Sequence, residues 1–285
     1  MDANGMSRRE FLASSAATLG ALGMVGSVAK AAQADVDEVV LGSTGIRTSR
    51  LGLGTGTYGG REQRLLGSEG FARLVHEAYD RGVRFIDCSD SYWTHGLIRH
   101  ALEGLPRESL FIQTKTDARD AALVRSDIDR FLIELGVEYI DSVLMHCMTA
   151  PSFVDDLRPA IDVLLEAKAS GMVRAIGASY HSVDAPAAAA SCADLDIHMI
   201  RVNPFSVNTD GPPDRVAEVA RELADAGKGV IGMKVYGESG FGSPEERRES
   251  IHHVVSLGSV HAFAIGFRDI AQIEETLGHI AAAVG

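Results

Sequence analysis

Val83-Arg84-Phe85-Ile86-Asp87-Cys88 is a short, mostly apolar run with an acid near its end, and Ser89-Asp90-Ser91-Tyr92 follows it with a phenol at its far end. An apolar run of this length with polar residues after it is the pattern of a buried strand. Ahead of it, Phe71, Leu74, Val75 and Ala78 share one face at helical spacing. The alternation then repeats along the chain. Further apolar runs lie at Leu51–Gly54, Leu110–Lys115, Ser142–His146, Val173–Ser179, His198–Val202, Gly229–Lys234 and Ala262–Gly266. Helical faces lie between several of them, at Ile128, Phe131, Leu132 and Leu135, at Leu164, Leu165 and Ala169, and at Ala217, Val219 and Leu223. Ser170-Gly171 reads as a helix terminus just before the run at Val173. Strands alternating with helices imply parallel pairing through right-handed crossovers. With eight such runs in one chain, a closed (β/α)8 barrel is expected rather than an open sheet. Residues 39–50 read as a β-hairpin turning at Ser43-Thr44-Gly45, placed to plug the barrel bottom.

The N-terminal 34 residues read differently. Ser7-Arg8-Arg9-Glu10-Phe11-Leu12 precedes a weakly apolar stretch, Ala13 to Ala29, and two small-x-small sites, Ala29-Lys30-Ala31 and Ala32-Gln33-Ala34. That order of basic, apolar and cleavable segments is a signal peptide, and the paired arginines resemble a twin-arginine signal. Residues 1–34 are therefore expected to be an export address read by the twin-arginine machinery, and 35–285 the barrel. The expected location is periplasmic or otherwise outside the cytoplasm. A retained membrane anchor is the alternative, although the stretch is short and rich in Gly and Ala for a span.

Composition excludes other classes. The chain is 46% hydrophobic and 23% charged, an ordinary globular balance, and its formal charge of −12 leaves no basic surface for nucleic acid. Cys88, Cys147 and Cys192 form no C-x-x-C pair, so no zinc or iron–sulfur site is expected.

In parallel barrels the chemistry sits at the C-terminal ends of the strands. Asp87 ends the second run, with Tyr92 in the loop after it, Lys115 ends the third and His146 the fourth. An ammonium beside a phenol lowers the phenol's pKa of about 10 toward the working range. A carboxylate can anchor that ammonium. A neutral imidazole can donate to a carbonyl oxygen. The set suits proton delivery to a carbonyl oxygen during hydride transfer, and the hydride requires a nicotinamide because no side chain can supply it. Each residue taken singly also has a structural reading: Asp87 and Lys115 as an ion pair, His146 as a core histidine.

Quoted in order, Leu51-Gly52-Leu53-Gly54-Thr55, Phe85–Tyr92, Phe111-Ile112-Gln113-Thr114-Lys115, Asp141–His146, Gly171–Ser179 and Val202–Ser206 resemble the aldo-keto reductase family over essentially all of residues 39–284. The resemblance implies Tyr92 as general acid, Lys115 as the residue tuning it, Asp87 as its anchor and His146 as the group that orients the carbonyl. It places Gly54 and Thr55 near the nicotinamide, and Ser179 and Arg201 at its carboxamide. Met233 stands where the family has an aromatic on the ring, and Lys234 where the diphosphate passes. Arg268, Gln272 and Glu275 fall on the adenosine side. Tyr180, Arg201 and Met233 depart from the family's usual Asn, Gln and aromatic, so the ring pocket differs while the proton machinery matches. Arg268 points to NADP, with NAD as the alternative; as a surface charge it would say nothing. Trp93, Tyr180 and Phe205 are candidates for a substrate pocket, and 236–249 for a mobile loop over the cofactor. The expected partner is a small carbonyl compound. Two other readings stay open: a cofactor-holding binding or sensor barrel with little turnover, and an aldolase-type barrel using Lys115 as a Schiff-base amine.

Overall fold

The computed structural model describes residues 37–285. The expected export segment, residues 1–34, lies outside the described residues. The chain enters through an antiparallel hairpin of β1 (Glu38–Val40) and β2 (Arg47–Ser49). Each of the eight apolar runs then forms a strand: β3 (Leu51–Gly54), β4 (Phe85–Asp87), β5 (Phe111–Thr116), β6 (Ile140–Met148), β7 (Val173–Tyr180), β8 (Ile197–Arg201), β9 (Gly229–Met233) and β10 (Ala262–Ile265). They pair in parallel in chain order, and β10 closes onto β3. The fold is the expected (β/α)8 barrel.

The strands are buried on both faces, which is why they read as nearly continuous apolar runs. Alternation along them still sorts the side chains. Phe85, Phe111, Leu144, Ile197 and Ile231 point inward to one cluster, while Ile86, Cys88, Ile112, Val143 and Met145 pack outward against the helices. Two residues beyond the inward Phe85, Asp87 faces inward as well. Lys115 follows Phe111 on the same face of β5, and His146 follows Leu144 on β6. The interior is thus apolar at its lower level and polar at its C-terminal end.

The hairpin fills the lower end. Leu41 and Ile46, which flank its turn, join the inward cluster, and Ser43 N–H donates to the Gly227 carbonyl at 2.8 Å. With that end stopped, the barrel opens at its C-terminal face.

The crossover helices carry their own start and stop signals. Helix Ala121–Leu135 begins at Asp120, whose carboxylate accepts from the amides of Ala122 and Leu123, and ends at Gly136 in the left-handed conformation. One expectation changes. Of the segment 236–249, only the first part is turn-rich. Ser243 and Glu246 form a reciprocal capping box that starts a helix at Pro244–Ser256. The sequence Ser243-Pro244-Glu245-Glu246 carried that signal.

Leu41 is fully buried among inward-facing side chains. Leu41→Ala should therefore lower unfolding free energy by about 2–5 kcal/mol, the cost of a core cavity, as read by urea denaturation.

Candidate active site

Lys115 Nζ donates to Asp87 Oδ1 at 2.6 Å and to the Cys88 carbonyl at 2.8 Å. Gln113 Nε2 donates to the same carboxylate oxygen at 2.8 Å. Lys115 is 0% exposed and Asp87 4%. Burial disfavours the ammonium, but Asp87 and Tyr92 outweigh it, and the Lys115 pKa is raised.

Tyr92 ends a short 3-10 turn, Asp90–Tyr92, that leaves β4. Arg130 grips this turn through both oxygens of Asp90, at 2.7 and 2.9 Å. The Tyr92 ring centre lies 5.2 Å from Lys115 Nζ, and its hydroxyl lies 3.5 Å from His146 Nε2. Gly56 is required here, because a Cβ at that position would come within 2.6 Å of the Tyr92 ring. The phenol behaves differently from the sequence expectation. Burial pushes its pKa up to about 12, and the Lys115 charge only partly offsets the shift. Desolvation of the phenolate is the larger effect.

His146 is 8% exposed, and its Nδ1 lies 2.9 Å from Asp117 Oδ1 and 3.1 Å from Ser89 Oγ. The hydrogen bond with His146 holds the Asp117 carboxyl below its usual range. Asp117 went unnoticed in the sequence. It lies two residues past Lys115, and no spacing marks it as a partner of a residue on β6.

Beside Tyr92 opens a cleft of about 350 Å³. Asp87, Tyr92, Gly54, Met199 and Met233 line one part of it, and Arg268, Gln272, Glu275 and Arg247 another. The cleft therefore passes from the buried polar end of the barrel to the last helix, Ile270–Val284. The sequence profile of the aldo/keto reductase family matches residues 50–255. The chain belongs to the aldo/keto reductase family.

The family membership agrees with individual relatives. Over 173 residues the chain is 30% identical to the NADH-specific methylglyoxal reductase of Escherichia coli K12, a match that covers 52% of each protein. Over 113 residues it is 32% identical to an aldo-keto reductase of Mycobacterium marinum, covering 38% of this chain and 39% of that one. The matched region thus spans about half or less of these relatives. The fold superposes on the holo form of an aldo-keto reductase from Bacillus halodurans with a TM-score of 0.73, at 17% identity, over 85% of this chain and 90% of that one.

In this aldo/keto reductase the four residues expected to act on protons are neighbours, and two of them, Asp87 and Tyr92, face the cleft. Gly54, Met233, Lys234, Arg268, Gln272 and Glu275 line it. Three expected cofactor residues do not form its wall. Thr55 Oγ1 is bound to the Asp87 carbonyl at 3.0 Å and to Thr94 at 2.9 Å. Ser179 Oγ accepts from the Cys147 amide at 3.0 Å. Arg201 turns to Asp210 at 3.5 Å and to the Asn208 carbonyl at 3.4 Å. Tyr180 is no pocket residue either: it is fully buried, with its hydroxyl 2.6 Å from His198 Nδ1. Trp93 is 80% exposed on the surface. Phe205 packs edge-on against Phe241, itself a cleft residue, with ring centres 4.9 Å apart. Arg247 was not foreseen. It reaches the cleft from helix Pro244–Ser256 and forks onto Glu275 at 2.9 and 3.2 Å. Its signal was hidden because the segment read as a loop.

Replacing Asp87 by Asn leaves a buried ammonium without its counter-charge. We expect a loss of about 3–5 kcal/mol at neutral pH, measured by chemical denaturation. Because the pair raises the lysine pKa, its stabilisation is present below the unfolded lysine value of about 10.4 and fades only as pH rises past it.

Proposed function

We propose that the protein reduces a small aldehyde or ketone to the alcohol with NAD(P)H, Tyr92 acting as general acid. The observation that carries this reading is Tyr92 in the cleft wall, with its ring centre 5.2 Å from the Lys115 ammonium and its hydroxyl 3.5 Å from His146 Nε2. The cleft suits a dinucleotide. It falls within the usual volume of ligand sites and sets apolar Met199 and Met233 beside Tyr92. Farther along stand two guanidinium groups, Arg247 and Arg268, beside the polar Gln272. Gly54 and Met233 would hold the nicotinamide, Lys234 the diphosphate, and Arg268, Gln272 and Glu275 the adenosine. When bound, the nicotinamide supplies the hydride. The protein's residues manage the proton. Asp87 keeps Lys115 charged and fixed, and Lys115 stabilises the phenolate that Tyr92 becomes as it protonates the substrate oxygen. His146 orients that oxygen beside the hydroxyl.

For the cofactor we favour NADPH over NADH. Arg247 is engaged by Glu275, whereas the pairing of Arg268 with Glu62 is looser, at 3.5 Å, and leaves that side chain 63% exposed. A guanidinium so placed can take a 2′-phosphate. The E. coli relative is NADH-specific, so the choice rests on this one charge. Arg268→Ala should weaken NADPH binding roughly tenfold and leave NADH binding nearly unchanged by titration calorimetry.

Supported by Ser7–Leu12 and the two small-x-small sites, residues 1–34 act as a twin-arginine export signal and 35–285 as the exported barrel, placed outside the cytoplasm. A second reading, a barrel that holds its cofactor with little turnover, gains support from Ser179 and Arg201, which leave the carboxamide side of the cleft without the polar groups expected there. The two are separated by steady-state kinetics. Tyr92→Phe should cut NADPH oxidation with a panel of small aldehydes by at least about a hundredfold while cofactor affinity stays unchanged. Cofactor binding without turnover of any aldehyde by the intact protein would select the second reading.

A further inference from the structure

Burying a polar atom without a hydrogen bond costs about 1–3 kcal/mol, so such atoms are scarce and each calls for a reason. Among the described residues, eight buried side-chain nitrogens and oxygens have no protein partner. One of them, Gln63 Oε1, belongs to a residue in the wall of the cleft beside Tyr92, and none of the others does. Gln63 is 1% exposed and lies on the single helical turn Arg61–Arg64, in the loop after β3. Its neighbours on that turn are already engaged. Arg64 donates to the carbonyls of Gly59 and Tyr92, and Glu62 pairs with Arg268 at 3.5 Å. Gln63 Nε2 faces the Phe267 carbonyl at 3.4 Å. That contact settles which end of the amide is which, because reversing it would set two carbonyl oxygens against each other. Oε1 is the end left without a partner. Gly266 makes room for the group. A Cβ there would overlap Thr57 Oγ1 and come within 3.0 Å of Gln63 Nε2, and all three residues line the cleft.

We propose that Gln63 is a cofactor-binding residue whose Oε1 accepts a hydrogen bond from a hydroxyl of the adenosine ribose. The proposal rests on the reductase reading given above and on the place it gives the dinucleotide. A bare amide oxygen needs a donor. The dinucleotide offers few of them: the ribose hydroxyls, the adenine amino group and the nicotinamide carboxamide. The position of Gln63 selects among them. It follows Glu62 in the chain and touches Phe267, the neighbour of Arg268, so it shares the Glu62–Arg268 end of the cleft. The nicotinamide is assigned to Gly54 and Met233 instead. Arg268 is the residue proposed to take a 2′-phosphate, which the adenosine ribose carries, whereas the adenine amino group lies on the far side of the base. In NADPH the 2′ oxygen is esterified, so the hydroxyl that remains for Gln63 is the 3′ one. NADH carries the same 3′ hydroxyl. Gln63 thus serves both cofactors alike, and Arg268 is what distinguishes them. Little ordering is needed on binding, since the amide is already held between Phe267 and Gly266.

Gln63→Met tests this, because methionine keeps the length of the side chain and removes the amide. Two readouts on the intact protein should move in opposite directions. By titration calorimetry, NADPH and NADH should each bind roughly tenfold more weakly, the worth of one neutral hydrogen bond. In the cofactor-free protein the urea midpoint should hold or rise, because a buried acceptor without a partner is gone. A glutamine with only a structural part would give the reverse, a lower midpoint with unchanged affinity, and that result overturns the proposal. A second measurement needs no variant. An NADH analogue lacking the adenosine 3′-hydroxyl should bind the wild type roughly tenfold more weakly than NADH does. Gln63→Met should bind the analogue and NADH alike. Equal binding of the two by the wild type overturns the ribose assignment. If the wild type binds neither NADPH nor NADH, the cofactor reading fails and this proposal fails with it. If Arg268→Ala weakens NADPH binding while Gln63→Met binds both cofactors as the wild type does, only the role of Gln63 is lost.

Discussion

A buried ammonium that touches a buried carboxylate holds this site together. Lys115 and Asp87 come from adjacent parallel strands and have almost no access to water. Neither could stay charged there alone, since desolvating a single ion costs far more than folding can recover. The pair therefore fixes more than itself. It ties β5 to the end of β4 and its Cys88 carbonyl, and so to the turn that carries Tyr92. Arg130 secures the same turn from helix Ala121–Leu135. The phenol is thus placed by two cations, one beneath its ring and one at the base of its loop.

The low dielectric that strengthens the Lys115–Asp87 contact also penalises the phenolate. Burial raises the Tyr92 pKa to about 12 in spite of the nearby ammonium. A phenol held that high keeps its proton at neutral pH and gives it up only to an oxygen on which negative charge develops, which is the timing general-acid catalysis requires. Lys115, beside the ring, is fully buried. The Asp117 carboxylate that holds His146 is by contrast 45% exposed.

Much of this was legible beforehand, for identifiable reasons. Strands buried on both faces announce themselves as apolar runs, and all eight were found, most with ends within a residue or two. Asp87, Tyr92, Lys115 and His146 were visible because each sits at or just past the end of such a run, where a polar side chain is conspicuous. The cleft was less legible. Thr55, Ser179 and Arg201 lie at suitable strand ends, yet their side chains are taken by the Asp87 carbonyl, the Cys147 amide and Asp210. Position along a strand does not say which hydrogen bond a side chain will make when several are in reach. Arg247 and Asp117 escaped notice for the converse reason: their partners, Glu275 and His146, lie 28 and 29 residues away in the chain.

The sequence by itself determined the closed barrel, the hairpin at its foot and the family, because strand periodicity, turn chemistry and residues at strand ends are local properties that one chain displays in order. Tertiary structure alone decided which of those polar ends face one another, how far burial outweighs charge at Tyr92, and that a carboxylate stands behind His146. Those depend on distances across the barrel mouth, and electrostatic and desolvation effects change steeply over a few ångströms that no linear spacing encodes.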